Sequence, residues 1–492
     1  MWLLPHAFRD STNEMVVFDF AGRATLAMMA WMAIWWLTEA IDLSATALLP
    51  LALFPLLGIA DVQSTAAPYA HPLIFLFMGG LLLALSMQRW ALDRRIALMT
   101  LRMVGSRPAH MVAGFMLVTA VLSGFVSNTA TAAMMLPIAL SVVALTASQG
   151  EGTGEGKGEG NFATCLMLGI AYAASIGGVM TIIGTPPNVF LISFLRETIA
   201  EPWRMEISFV RWLAIGIPLA VVFLPIVWWL LTRVLYPVSP QGIPGGRELV
   251  NRQYRELGPA SQAEWATFLV FCLAVLAWIT RPLLQQAGWG SGAEAVRPLA
   301  GLSDTGIAMT AALLLFVIPA GRGTGGFVMN WETARQLPWG VLILFGGGLS
   351  LAAAVQANGV GEFIASHTRV LSGIPDWLVI GLVCAGIVFL TELTSNIATT
   401  ATLLPVLAAM APGLQINPLL LVVPAAISAS FAFMLPVATP PNALVYASGN
   451  VRISQMARAG LWLNLIGILL ITLMTGLLIG PVLGIGPAAA PS

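Results

Sequence analysis

Charge is what this chain is short of. Only 9% of its 492 residues are charged, 22 basic against 22 acidic, so no net field is available to hold nucleic acid or another polyanion. Cysteine is scarce too. Cys165, Cys272 and Cys384 lie far apart in apolar stretches without metal-ligand spacing, and they read as small core residues with no redox inference. His71 and His110 stand at predicted span ends with no partners for a metal site. Neither H-E-x-x-H nor G-x-S-x-G occurs, so the chain lacks the residue sets of an intramembrane hydrolase and is read as no enzyme. The N-terminus shows no basic region followed by an apolar core and a small-residue cleavage site, so no removable leader is expected.

What remains is hydrocarbon. Hydrophobic residues make up 58% of the chain, and apolar runs of spanning length recur throughout, which is the composition of a multi-pass protein of the cell membrane, the inner membrane in a bacterium. Against a bilayer that needs about 20 helical residues, spans fall at 22–38, 43–59, 72–88, 208–235, 263–280, 305–320, 338–356 and 459–485. Two longer stretches, 161–196 and 417–449, are each interrupted by Thr-Pro-Pro-Asn and read as broken helices. Two more, 111–147 and 376–412, carry a central Ser-Asn pair and read as hairpins that enter and leave on one side. The predicted fold class is an all-α membrane protein of about ten spans and two re-entrant hairpins. Arg89, Arg94, Arg95, Arg102 and Arg107 cluster in one segment, which belongs in the cytoplasm. Threading outward from there puts the hairpin around Asn128 on the cytoplasmic side and the hairpin around Asn396 on the outer side. Gln149 to Asn161 is a Gly/Glu tract expected to be a disordered cytoplasmic linker. Trp31, Trp35 and Trp36 are expected as interfacial or lipid-facing anchors.

The chain repeats itself. Phe77, Gly79, Gly80, Leu81, Leu83, Ala84 and Gln88 return as Phe345, Gly347, Gly348, Leu349, Leu351, Ala352 and Gln356, displaced by 268 positions. The same displacement carries Ser127-Asn128 onto Ser395-Asn396, after which the register shifts to 254, because Thr185-Pro186-Pro187-Asn188 returns as Thr439-Pro440-Pro441-Asn442. By the orientation above, 72–88 runs inward and 338–356 outward, so the halves are inverted, an arrangement that places a transport site near the midplane. The glycines alone are accounted for by close helix packing. The repeated polar blocks are not.

Each half thus supplies a polar break in a hairpin and another in a long helix, and unwound backbone within a bilayer is tolerated only where it lines a cavity. Ser and Thr hydroxyls, Asn carbonyls and freed backbone carbonyls are hard oxygen ligands that suit a hard cation, while half-helix N-termini suit an anion. No charged side chain lies within 111–147 or 161–195, and Glu392 alone within 377–449. A dianion bound there has its charge offset by helix ends and co-bound cations, which favours sodium coupling. Glu392, an intramembrane carboxylate one turn before Asn396, is read either as a direct ion or proton ligand or as an anchor of its hairpin. Glu39, beside Asp42 at a span end, is free to face water.

The runs SGFVSNTATAAMMLP (123–137), LTELTSNIATTATLLPV (390–406), SASFAFMLPVATPPNALVYASG (428–449) and WWLTEAIDLSATALLPLALFPLLGI (35–59) resemble the divalent anion:sodium symporter family, over nearly the whole chain. The resemblance implies sodium-coupled transport of C4-dicarboxylates such as succinate, malate and fumarate, with citrate or sulfate symport, or sodium-independent exchange, as alternatives on the same scaffold. It implies a homodimer in lipid, an elevator mechanism, no cofactor, and Na+ as the only metal ion. Matched motif to motif, Ser123, Ser127 and Asn128 with Gly184 hold one sodium, and Thr391, Thr394, Ser395 and Asn396 with Ala438 hold the other. The anion meets Asn128, Thr129, Thr185, Asn396, Ile397 and Thr439. Scaffold spans are assigned to 1–71 and 208–337, repeat cores to 72–207 and 338–458, and a last span to 459–492. Two departures stand out: Ile397 occupies a position where many bacterial members have Thr, and residues 1–21 are too polar to supply the additional first span with which the family usually begins.

Overall fold

The computed structural model describes residues 4–9, 14–105, 107–150, 156–199, 201–243, 245–288, 297–321, 325–369 and 373–485. The chain is a multi-span helical membrane protein, in which eight helices among the described residues are long and apolar enough to cross a bilayer. One short ribbon of Ala7–Arg9 against Met15–Val17 precedes them.

Both halves lay down the same order of elements. A helix carrying the glycine pair (Pro72–Arg89; Trp339–Ala357) is followed by a short helix (Leu92–Leu101; Val360–Thr368) and a hairpin (Pro108–Ser123 with Asn128–Gly150; Asp376–Thr391 with Asn396–Leu414). Then come a broken helix (Gly156–Val179 with Pro186–Glu197; Leu419–Ala429 with Pro440–Ala447) and a long closing helix (Phe209–Trp229; Ile453–Met474) that ends in a wider π turn. The two glycine-bearing helices meet at Phe77 and Phe345, whose ring centroids are 5.6 Å apart. The pair does serve close packing: a Cβ on Gly80 would come within 3.1 Å of Ile183 in the first break, and one on Gly79 within 2.8 Å of Ala308.

Local chemistry dictates the breaks. The residue before a proline is pushed into extended conformation, and a proline at the first helical position is pre-set for a helix start. Thr185 (φ −144°, ψ 142°) and Thr439 (φ −144°, ψ 149°) are both extended, and helices begin at Pro186 and Pro440 behind them. The unwound segments are residues 180–185 and 430–439, so the second break is longer by four residues.

Several expectations need correction. The span at 43–59 is two short helices, Leu43–Thr46 and Leu49–Leu56, because Pro50 denies an amide to the carbonyl one turn back and the helix restarts there. The span at 305–320 is a 14-residue helix, Asp304–Val317, about 21 Å long. Helix reaches to Gly150 and resumes at Gly156, so the Gly/Glu tract is shorter as a linker than expected, and its residues 151–155 lie outside the described residues. Residues 1–3 and 10–13 of the N-terminal segment and 486–492 of the last region also lie outside them. Trp36 is buried rather than lipid-facing, its indole donating to the Leu43 carbonyl at 3.1 Å, whereas Trp31 is exposed. Cys165 and Cys384 are buried, but Cys272 is exposed on an outward face of Gln262–Gln286.

Candidate functional site

All four breaks converge on one cavity of about 910 Å³. Ser127, Asn128 and Thr129 line it from the first hairpin, Thr394, Ser395, Asn396 and Ile397 from the second, Gly184 and Thr185 from the first broken helix, and Ala438 and Thr439 from the second. Ser123 and Thr391 do not line it. They sit one layer behind, fully buried at the ends of the first hairpin arms.

From that layer each makes the same contact. Ser123 Oγ lies 2.6 Å from Asn128 Oδ1 and 2.7 Å from the Ala174 carbonyl. Thr391 Oγ1 lies 2.7 Å from Asn396 Oδ1 and 3.0 Å from the Ala429 carbonyl. A hydroxyl has one hydrogen to give, so each trio leaves one oxygen–oxygen approach with no hydrogen in it. These are oxygen-rich clusters of the kind a hard cation occupies. Gly178 makes room for the first, since a Cβ there would stand 2.5 Å from Asn128 Oδ1.

The remaining predicted residues hold the loops. The Ser127 hydroxyl accepts from the Ala130 amide at 3.3 Å, and Thr394 Oγ1 pairs with Thr399 Oγ1 at 2.7 Å and donates to the Leu390 carbonyl at 3.0 Å. Thr439 Oγ1 accepts from the Asn442 amide at 3.3 Å, while Thr185 makes no such cap. Gly184 donates its amide to Thr181 Oγ1, which in turn donates to the Gly124 carbonyl and ties the first break to the first hairpin.

Two residues were missed as site residues although their motif was in plain view. Asn188 and Asn442 are fully buried, and each turns its amide nitrogen back onto its own break. Asn188 Nδ2 donates to the Thr181 carbonyl at 2.8 Å and to Gly178 and Val179 at 3.3 Å; Asn442 Nδ2 donates to Ala432 at 3.1 Å and Leu435 at 3.0 Å. The repetition of Pro-Pro-Asn was the signal that could have found them.

The electrostatics are sparse. Glu39 is the one ionisable side chain among the residues lining the cavity, which also include the neutral amides Gln88 and Gln336. Prolines have no amide hydrogen, so the starts at Pro186-Pro187 and Pro440-Pro441 offer an anion nothing at their first two positions. Donors for an anion come instead from the helices that begin at Asn128 and Asn396. Glu392 does not reach the cavity lining. Its carboxylate is buried and accepts from Phe433, Met434 and Leu435 amides and from Asn464, which is the anchoring alternative.

Residues 17–485 match the sodium:sulfate symporter transmembrane region. The chain is 39% identical over 465 residues to the sodium-dependent dicarboxylate transporter SdcS of Staphylococcus saprophyticus, covering 94% of this chain and 87% of that one. It is likewise 39% identical over 466 residues to SdcS of Staphylococcus aureus strain USA300, at the same coverage. Among solved structures it is similar in fold to the Alcanivorax borkumensis YdaH transporter, with a TM-score of 0.58 and 14% identity over 98% of this chain and 94% of that one. It is also similar to Neisseria gonorrhoeae MtrF, with a TM-score of 0.54 and 14% identity over 92% and 95%.

Proposed function

This chain belongs to the sodium:sulfate symporter family, and on that premise we propose that it is a sodium-coupled symporter of C4-dicarboxylates such as succinate, malate and fumarate. It is a multi-pass membrane transporter, not an enzyme. The observation that carries the substrate reading is the pair of hydroxyl–asparagine–carbonyl trios flanking a cavity whose lining holds no basic side chain. A dianion in that cavity needs positive charge, and the trios are suited to supply it as bound sodium.

Ser123, Ser127, Asn128 and Gly184 serve one cation, and Thr391, Thr394, Ser395, Asn396 and Ala438 the other. Asn128, Thr129, Asn396 and Thr439 meet the carboxylates, with Thr185 and Ile397 shaping the walls. The halves are an inverted repeat, and the repeat cores, 72–207 and 338–458, move as an elevator against 1–71 and 208–337 of a homodimer. One helix within 208–337, Phe209–Trp229, is the exception and goes with the moving body. Its Trp212 indole donates to the Val179 carbonyl at 3.0 Å, and a Cβ on Gly216 would stand 2.6 Å from the Met180 carbonyl, which supports one rigid unit with the first break.

Reconstituted protein in empty proteoliposomes decides the matter. Succinate uptake driven by an inward sodium gradient is expected; uptake that instead requires internal dicarboxylate, and ignores sodium, overturns symport in favour of exchange.

A further inference from the structure

The two halves hold their breaks open by different chemistry. In the first half the break is six residues, 180–185, and neutral groups suffice: Thr181, Asn188 and the Trp212 indole. The second break, 430–439, has ten residues and exposes three successive amides, at Phe433, Met434 and Leu435, that no helical carbonyl meets. Orphan amides in a water-free interior need acceptors. Glu392 supplies them. Its Oε1 lies 2.7 Å from the Phe433 nitrogen and 2.9 Å from Met434, and its Oε2 lies 3.1 Å from both Met434 and Leu435.

The position that corresponds in the first half is Gly124, which has no side chain to offer. The closing helix completes the clamp. Asn464 Nδ2 donates to Glu392 Oε1 at 2.8 Å, and one turn earlier Gly460 lets the helix backbone lie directly on Phe433 and Met434, where a Cβ would collide with their main chain. On the far side Asn442 takes the carbonyls of Ala432 and Leu435. Glu392 thus grips the amides of the segment while Asn442 grips its carbonyls, and Ala438 and Thr439 of the cavity follow three residues on.

We propose that Glu392, held by Asn464, is a positioning residue for the second cation cluster and makes it the tighter of two unequal sodium sites. It acts in two ways. It fixes the segment from Ala429 to Ala438 against Thr391 and Asn396, and its negative charge, one residue from Thr391, favours a cation there. No ionisable side chain stands at the corresponding place beside the first cluster, and the charge-assisted bonds that order the second have no counterpart there. This inference rests on the reading of both trios as cation sites, and it adds to that reading an inequality between them.

The test is sodium titration of purified, detergent-solubilised protein, read by tryptophan fluorescence or thermal shift, alongside succinate uptake at saturating sodium. Glu392→Gln keeps the shape but turns an NH2 toward the Met434 and Leu435 amides. Its half-saturating sodium concentration is expected to rise about tenfold, and that of Asn464→Ala about threefold, because a hydrogen bond to a charged group is lost or weakened. The succinate KM at saturating sodium should stay within about twofold of wild type, since the anion's own groups are untouched. Glu392→Asp, which restores the charge on a shorter arm, should fall between wild type and Glu392→Gln. A general packing defect would lower uptake without moving the sodium midpoint, and that result, or an unchanged midpoint in Glu392→Gln, overturns the proposal. Where Glu392→Gln yields no folded protein, the midpoints of Asn464→Ala and Glu392→Asp decide in the same way. Wild-type protein without any sodium-dependent signal would sink the cation reading itself, an outcome distinct from failure of the inequality.

Discussion

Asn188 and Asn442 show how little a motif says about direction. Both were visible as part of Pro-Pro-Asn, yet nothing in the letters indicated that their nitrogens fold back onto carbonyls of the preceding break. Asn188→Asp would put an acceptor against three carbonyls, and with no donor left the break loses its clasp; sodium-driven uptake should vanish and thermal stability fall by about 1–3 kcal/mol, measured by thermal shift of the purified protein. Ile397 makes the opposite case, since Thr129 offers a hydroxyl at the matching place in the first half and Ile397 offers only shape. Ile397→Thr should reorder competition among succinate, citrate and sulfate by about tenfold or less, because one hydrogen bond to a charged group is at stake. Identical competition curves in mutant and wild type would remove residue 397 from the anion's surroundings. Outside the spanning helices, burial pushes the Asp93 carboxyl up to about 6, against the pull of the Arg94 amide. A carboxyl that holds its proton more tightly folded than unfolded costs stability at neutral pH, and the cost fades as pH falls through 6 toward 3.8. Wild type should therefore melt higher at pH 5.5 than at pH 7.5, and Asp93→Asn should melt higher at pH 7.5 with that difference flattened.

Among elements, the breaks and hairpin turns were legible because their causes are local. An extended residue before proline and a helix start at proline follow from steric rules that need no tertiary context. The short helices over Leu43–Leu56 were not legible, since hydropathy counts an apolar proline as hydrocarbon and is blind to the amide it lacks. Trp36 and Cys272 were misplaced for a related reason, because apolar runs do not tell which face of a span meets protein and which meets lipid. The contrast between two glycines makes the packing argument testable. A Cβ added at Gly386 would have nothing within 4 Å, so Gly386→Ala should gain helix propensity and stabilise by about 0.5–1 kcal/mol. Gly460→Ala should lose more than that gain, because its Cβ meets the Phe433 backbone, which cannot swing aside as a side chain can. Thermal melts of the two variants should move in opposite directions, and a Gly460→Ala protein as stable as wild type would mean that the closing helix does not lie on the break.

At the scale of the molecule, the sequence repeat translated into a repeated order of elements, and its register slipped because the first half carries the Gly/Glu tract between hairpin and broken helix, an insertion that outweighs the longer second break. The proposed inversion of the halves would put the outer ends of the two hairpins on opposite sides of the membrane. In a cysteine-free background, single cysteines at His110 and Asp376, both exposed, should label differently with an impermeant thiol reagent added outside. Position 376 should react and position 110 should not; equal labelling would refute the inversion. The buried carboxylate of Glu392, the one charged side chain within 377–449, has a further consequence, which is electrical. A charge fixed to a moving body travels out and back in each cycle and leaves no net displacement, so the steady current per turnover reports the cargo alone. A dianion with two sodium ions is then silent to voltage, whereas each additional sodium draws on the membrane potential at roughly 2.3 kcal/mol per 100 mV. Transient currents without substrate turnover would register Glu392 in transit, and the steady current would count the ions that accompany each anion.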